Sequence, residues 1–203
     1  MLWTLRALLL VVCGSVCAQA QMRTLALYTG PANGLDVRAS EVMREELQRL
    51  LRPAEIDVVW KSLSDRRSAE TFELVAVSSF EGSCSPHDAP TAPPISASLA
   101  DTSISDGHIL PFFRVDCTHL LRTLGSQTEP SGLGRALARV IGHEIYHIVA
   151  KTTEHQETGL AKAVFSVRDL TSNRFDLDAW SLDRMRPPVV ARRAADLSAV
   201  GAR

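Results

Sequence analysis

The sequence predicts an α+β fold in which a mixed β-sheet, with one strand exposed at its edge, lies over a long buried helix. Three observations carry this expectation. Strand-like runs flank a helical period within residues 24–80; a proline interrupts a later strand-like run; and residues 133–149 are apolar around most of a helical circumference.

Taken in order, the chain opens MLWTLRALLLVVCGSVCAQAQ: one arginine, an apolar run over residues 8–17, then Ala18-Gln19-Ala20, a small-x-small cleavage pattern. This reads as a secretory signal peptide over residues 1–20, removed after Ala20. The run is well short of the ~18 to 20 residues that cross a bilayer, so no stable membrane insertion is expected after cleavage. The mature chain is then expected to hold one domain over residues 21–186 and a polar Arg- and Ala-rich tail over 187–203. The expected location is secreted or periplasmic. Cys84 and Cys117 would then meet an oxidising compartment, which favours a disulfide between them over two buried free thiols. The formal net charge of −1 argues against nucleic acid or an anionic membrane surface as partner.

Residues 24–29 (TLALYT) form a β-type run and lead into the turn-rich Gly30-Pro31-Ala32-Asn33-Gly34. Val42, Met43, Leu47, Leu50 and Leu51 then repeat with a helical period, with Ser40 as the expected N-cap and Pro53 as the stop. Strands are expected at residues 56–63 and 72–80, and an exposed Pro- and Ser-rich loop at 82–94. Two more strands, at 95–103 and 108–115, are joined by Asp106-Gly107, a hairpin turn signal. Pro111 lies inside the second of these, which therefore belongs at an edge, where a missing N–H is harmless. A short helix at residues 117–124 precedes the long one, and another is expected near residues 176–183.

The long helix carries HEIYHIVAKTTEH, residues 143–155. His143 and His147 stand four apart, offset by about 40° around a helix and ~6 Å along it, so both imidazoles reach one ion. Glu144 is turned about 100° from His143, beside the ligands, where it suits a base acting on water better than a third ligand. Arg135, Arg139 and Tyr146 are left as a narrow polar stripe on an otherwise apolar helix. Two imidazoles and a carboxylate on a buried helix need partners, and a cation supplies one. If the helix ran on, His155 would lie ~12 Å beyond His147. The chain must therefore turn back near Thr152-Thr153 for His155 to join as third ligand, with Glu154, Asp169, Asp176 and Asp178 as competitors. His87, His108 and His119 have no ligand-like spacing and read as surface or hydrogen-bonded residues. Lys162 reads as a solvated lysine.

HEIYH resembles the zinc-binding signature of zincin metallopeptidases, and the downstream histidine is similar to the metzincin extension HExxHxxGxxH. The resemblance implies a zincin-like fold, Zn2+ as cofactor, and a peptide or protein substrate. It implies His143, His147 and His155 as ligands and Glu144 as general base. Two departures stand out: Ala150 occupies the position of the metzincin glycine, and the third histidine comes two residues late. EGSCS at residues 81–85 is similar to the EGCLS segment of peptide deformylases, but an inserted serine breaks that match. The rival expectation is an exported metal-binding protein without turnover, which a fourth protein ligand closing the site would favour.

Overall fold

A computed structural model describes residues 22–65, 70–89, 98–125 and 127–187. The expected signal peptide, the tail from residue 188 onward, and residues 90–97 of the expected loop and fourth strand lie outside these. Five strands, β1 (Arg23–Thr29), β2 (Ile56–Ser62), β3 (Leu74–Glu81), β4 (Ala100–Ser105) and β5 (His108–Asp116), form one sheet in the order β2-β1-β3-β5-β4. All neighbours are parallel except β4 and β5. The sheet is thus mixed but mostly parallel. Helices α1 (Val37–Leu51), α2 (Cys117–Leu124), α3 (Pro130–Ala150), α4 (Val167–Thr171) and α5 (Ala179–Met185) pack around it.

The expected edge strand is corrected by this order. Strand β5 is internal, between β3 and β4, and the edge belongs to β4. Pro111 is tolerated for a local reason. Between the pairs Thr102↔Phe113 and Ile104↔Ile109, β5 advances four residues while β4 advances two, so β5 bulges where the proline sits. The ladder to β3 begins only at Phe112. The missing N–H therefore breaks neither ladder. The Asp106-Gly107 turn has φ of 50° and 75°, the left-handed pair that closes a two-residue hairpin.

One face of the sheet carries Leu25, Leu27, Ala76, Phe113 and Val115, all buried with α1 and α3 in a single core. Helix α1 starts earlier than its apolar period implies. Asp36, not Ser40, is the N-cap, its carboxylate accepting from the N–H groups of Arg38 (2.7 Å) and Ala39 (3.3 Å). Helices α1 and α3 pack closely because Gly134 has no side chain. A Cβ there would strike the Ala39 carbonyl oxygen and lie 2.8 Å from the Val42 Cβ.

The polar stripe of α3 is interior, since Arg139 and Tyr146 are both fully buried. Arg139 is interior because its donors are all met: Nε and Nη2 donate to Glu46 Oε1 of α1 at 3.1 and 2.9 Å, Nη1 to the Asp169 carbonyl at 2.7 Å, and Nη2 also to the Ser172 carbonyl at 2.6 Å. Burial alone would raise the Glu46 pKa, but hydrogen bonds from Arg49 and Arg139 outweigh it and hold the carboxyl below its ordinary value. Cys84 and Cys117 are joined by a disulfide with a Cα–Cα distance of 4.9 Å, tying the loop after β3 to the first residue of α2.

Candidate metal centre

The C-terminal half of α3 presents His143, Glu144 and His147, exposed by 8, 4 and 7 %. The helix ends at Ala150, and Lys151 takes the left-handed conformation (φ 49°, ψ 47°) with its N–H on the His147 carbonyl. The turn falls one residue after the position of the metzincin glycine, so Ala150 stays helical. A lysine carries the cost of about 1–2 kcal/mol that a non-glycine residue bears there. The chain then doubles back and lays the His155 ring over His143, with centroids 5.2 Å apart and planes 15° from parallel. The three histidines bring one ligand atom each to within 4.8 Å of one another.

The hydrogen bonds of the two helical imidazoles fix their tautomers. His143 Nδ1 lies 2.7 Å from the Leu160 carbonyl, and His147 Nδ1 lies 2.7 Å from the Thr152 carbonyl. A carbonyl oxygen only accepts, so both Nδ1 atoms carry protons and a neutral ring has its lone pair on Nε2. The two Nε2 atoms face each other at 3.0 Å. Two lone pairs at that distance repel. A cation between them removes the conflict, and the separation is close to the roughly 3.3 Å expected of two ligands on a tetrahedral zinc ion with bonds of about 2.0–2.1 Å. Burial, opposed by the Leu160 hydrogen bond and aided by His147 and His155, lowers the His143 pKa to about 4, which keeps the ring neutral and able to bind a cation. Burial lowers that of His147 as well. The donor set, three imidazoles with Nδ1–H groups tied to carbonyls in two of them, suits zinc.

Glu144 Oε2 accepts from the Thr102 hydroxyl of the edge strand at 2.6 Å. Burial pushes its pKa up to about 7, with the Thr102 hydrogen bond working against the rise. Glu144 and the three histidines line a cleft of about 500 Å³ walled by β4, α2, α3 and residues 163–165.

The loop carrying His155 is braced from α5. The Tyr146 hydroxyl donates to the Glu154 carbonyl (3.1 Å), Arg184 pairs with the Glu154 carboxylate (3.0 Å) and covers Trp180, and Trp180 packs on Tyr146. Each carboxylate that competed for the third ligand position has another occupation. Glu154 pairs with Arg184, Asp169 with Lys162 at 2.6 Å, Asp176 with Arg49 at 2.8 Å, and Asp178 caps α5. The same Asp169 contact makes Lys162 an ion-pair partner. Cys84 is held in its disulfide.

One residue that the spacing did not single out also belongs to the cleft. His119, on α2, is 5 % exposed and lines it, whereas His87 and His108 lie elsewhere.

No protein-family model matches the chain, and no curated protein sequence matches it. Among solved structures the chain is similar to an archaemetzincin from Methanopyrus kandleri, at 12% identity over 90% of this chain and 99% of that one, with a TM-score of 0.48.

Proposed function

We propose that the protein is an exported zinc-dependent metallopeptidase, with His143, His147 and His155 holding the ion and Glu144 as general base. The observation that carries this reading is the pair of Nε2 atoms facing at 3.0 Å with both Nδ1 atoms tied to carbonyls, beside a buried carboxylate and an open cleft. The export half of the proposal rests on the sequence of residues 1–20 alone.

A zinc ion, when bound, supplies Lewis acidity, lowering the pKa of a water and polarising a carbonyl. The chain does the rest. Glu144, its carboxylate oriented by Thr102, takes a proton from the attacking water at its free oxygen and returns it to the leaving amine. A pKa of about 7 suits both halves of that transfer near neutral pH, and a neighbouring cation lowers it toward the basic role. Glu144 itself is 4 % exposed, and the edge strand β4 borders the place where an extended peptide would lie. Among the described residues no fourth ligand joins the three histidines, whereas a closed structural site takes four.

The test is hydrolysis of a mixed peptide library by the full chain loaded with zinc, against the same protein held in chelator. Cleavage that appears with zinc and vanishes with chelator supports the proposal; a zinc-loaded, folded chain that cleaves nothing sinks it.

A further inference from the structure

The cleft is also lined by polar groups that the proposed chemistry does not use. His119 stands in the first turn of α2, its N–H on Asp116 Oδ1 at 2.8 Å and its carbonyl taking the Thr123 hydroxyl at 3.0 Å. The backbone is satisfied; the ring has no hydrogen-bond partner among the described residues, and its nitrogens, which are not among the buried side-chain atoms left unpaired, open on the cleft that this 5 % exposed residue lines. The ring's donor and acceptor are therefore met by what enters the cleft, water or a ligand. Thr123, four residues on and on the same face of α2, also lines the cleft, and its donated proton leaves the oxygen lone pairs free to accept. Leu99, Ile109 and Val140 give the same cleft an apolar lining. Val140 precedes Glu144 by one helical turn, so part of that apolar lining lies beside the reacting carboxylate.

We infer that His119 is a specificity-determining residue: with Thr123 it forms the polar floor of an apolar pocket that takes a substrate side chain with an apolar body and an uncharged hydrogen-bonding tip, such as a phenol. The inference deepens the metallopeptidase reading and rests on it for the word substrate. Charge decides the tip. Among the described residues no lysine or arginine lines the cleft, so an anionic tip would be desolvated without a counter-ion. Of the acidic residues there Asp101 pairs with Arg114 at 2.9 Å, and the free oxygen of Glu144 is the one assigned to the attacking water, so a cationic tip would occupy the group that the reaction needs. A neutral hydroxyl can donate to one of these groups and accept from the imidazole N–H. A hydrocarbon of the same shape would leave the ring unpaired, and sites of this kind reject such an analogue.

The experiment compares p-cresol with toluene by NMR titration of the full-length, zinc-loaded protein, and needs no turnover. The native chain is expected to bind p-cresol at least tenfold more tightly than toluene, with the His119 ring resonances moving on p-cresol addition. In His119→Leu the ratio falls below twofold while toluene still binds, and His119→Gln, which keeps a hydrogen-bonding head, retains a preference even if the leucine variant does not fold. Equal binding of the two probes by the native protein, or a preference that survives His119→Leu, overturns the inference. Peptides carrying Tyr or Phe beside the cleaved bond then separate the two claims: a Tyr preference in kcat/KM that His119→Leu abolishes supports both. A p-cresol preference without any peptide cleavage upholds the pocket and counts against the hydrolase.

Discussion

The two halves of α3 are equally buried and both carry polar side chains, yet they solve the cost of burial in opposite ways. In the first half Arg139 spends its donors on Glu46, Asp169 and Ser172, so the guanidinium is complete within the protein. In the second half His143 and His147 satisfy only one nitrogen each and turn the other pair of nitrogens on one another. The closed network is a way of holding helices together. The incomplete one is a way of holding something else. The difference teaches that burial of polar groups marks a functional site only where the protein leaves their valences unmet.

The contrast can be broken at either half. The largest effect is expected in the second: Glu144→Gln keeps the size and the Thr102 contact but cannot accept a proton, so hydrolysis falls by about a thousandfold or more, roughly 4 kcal/mol of barrier, while metal content stays unchanged. Steady-state kinetics with metal analysis on the same sample check both parts. In the first half, Arg139→Met leaves the Glu46 carboxylate buried with only Arg49 beside it. A loss of about 3 kcal/mol of stability in urea denaturation is expected, and the double change Arg139→Met with Glu46→Leu should recover most of it. Neither variant is expected to alter metal affinity once folded. If either did, the two halves would not be separable. Gly134→Ala inserts a methyl group between α1 and α3 and should cost about 1–3 kcal/mol, read as a lower thermal midpoint.

The smallest effect concerns pH. Burial alone would raise the Asp169 pKa, but its hydrogen bonds to Lys162 and Ser166 bring it from 3.8 down to about 2. A depressed carboxyl contributes stability above its unfolded value and loses it as the pH falls through the folded one, here between about 4 and 2. With the side chain 27% exposed and partly screened, about 1 kcal/mol is at stake. Asp169→Asn should flatten the stability profile in that window, measured by denaturation at a series of pH values.

Legible in the sequence is whatever depends on local spacing. The i, i+4 histidines, the Asp106-Gly107 hairpin and the helix Cys117–Leu124 are set by neighbours within a few residues. The features that the sequence hides depend on distant partners. Arg139 reads only as part of a polar stripe, with no partner named, because Glu46 lies 93 positions away. Pro111 points to an edge strand because a bulge in an internal strand leaves no signal in a single sequence. Ser40 reads as the cap because Val37, exposed on the first turn, interrupts the apolar period that would lead back to Asp36. Helix α4, five residues long, is too short to show a period. His119 escapes a search for ligand spacing. The available signal is its pairing with Thr123 at i, i+4 beside the apolar face of Leu120, Leu121 and Leu124.

The central claim is that the opposed Nε2 atoms and His155 close on one cation. Zinc-edge X-ray absorption on the purified full chain, with metal analysis and a melting curve in chelator, tests it most directly. One zinc per chain is expected, with a shell containing three nitrogen ligands at about 2.0–2.1 Å and a lower melting temperature once the metal is stripped. A chain that takes up no zinc on dialysis and melts unchanged in chelator would contradict it.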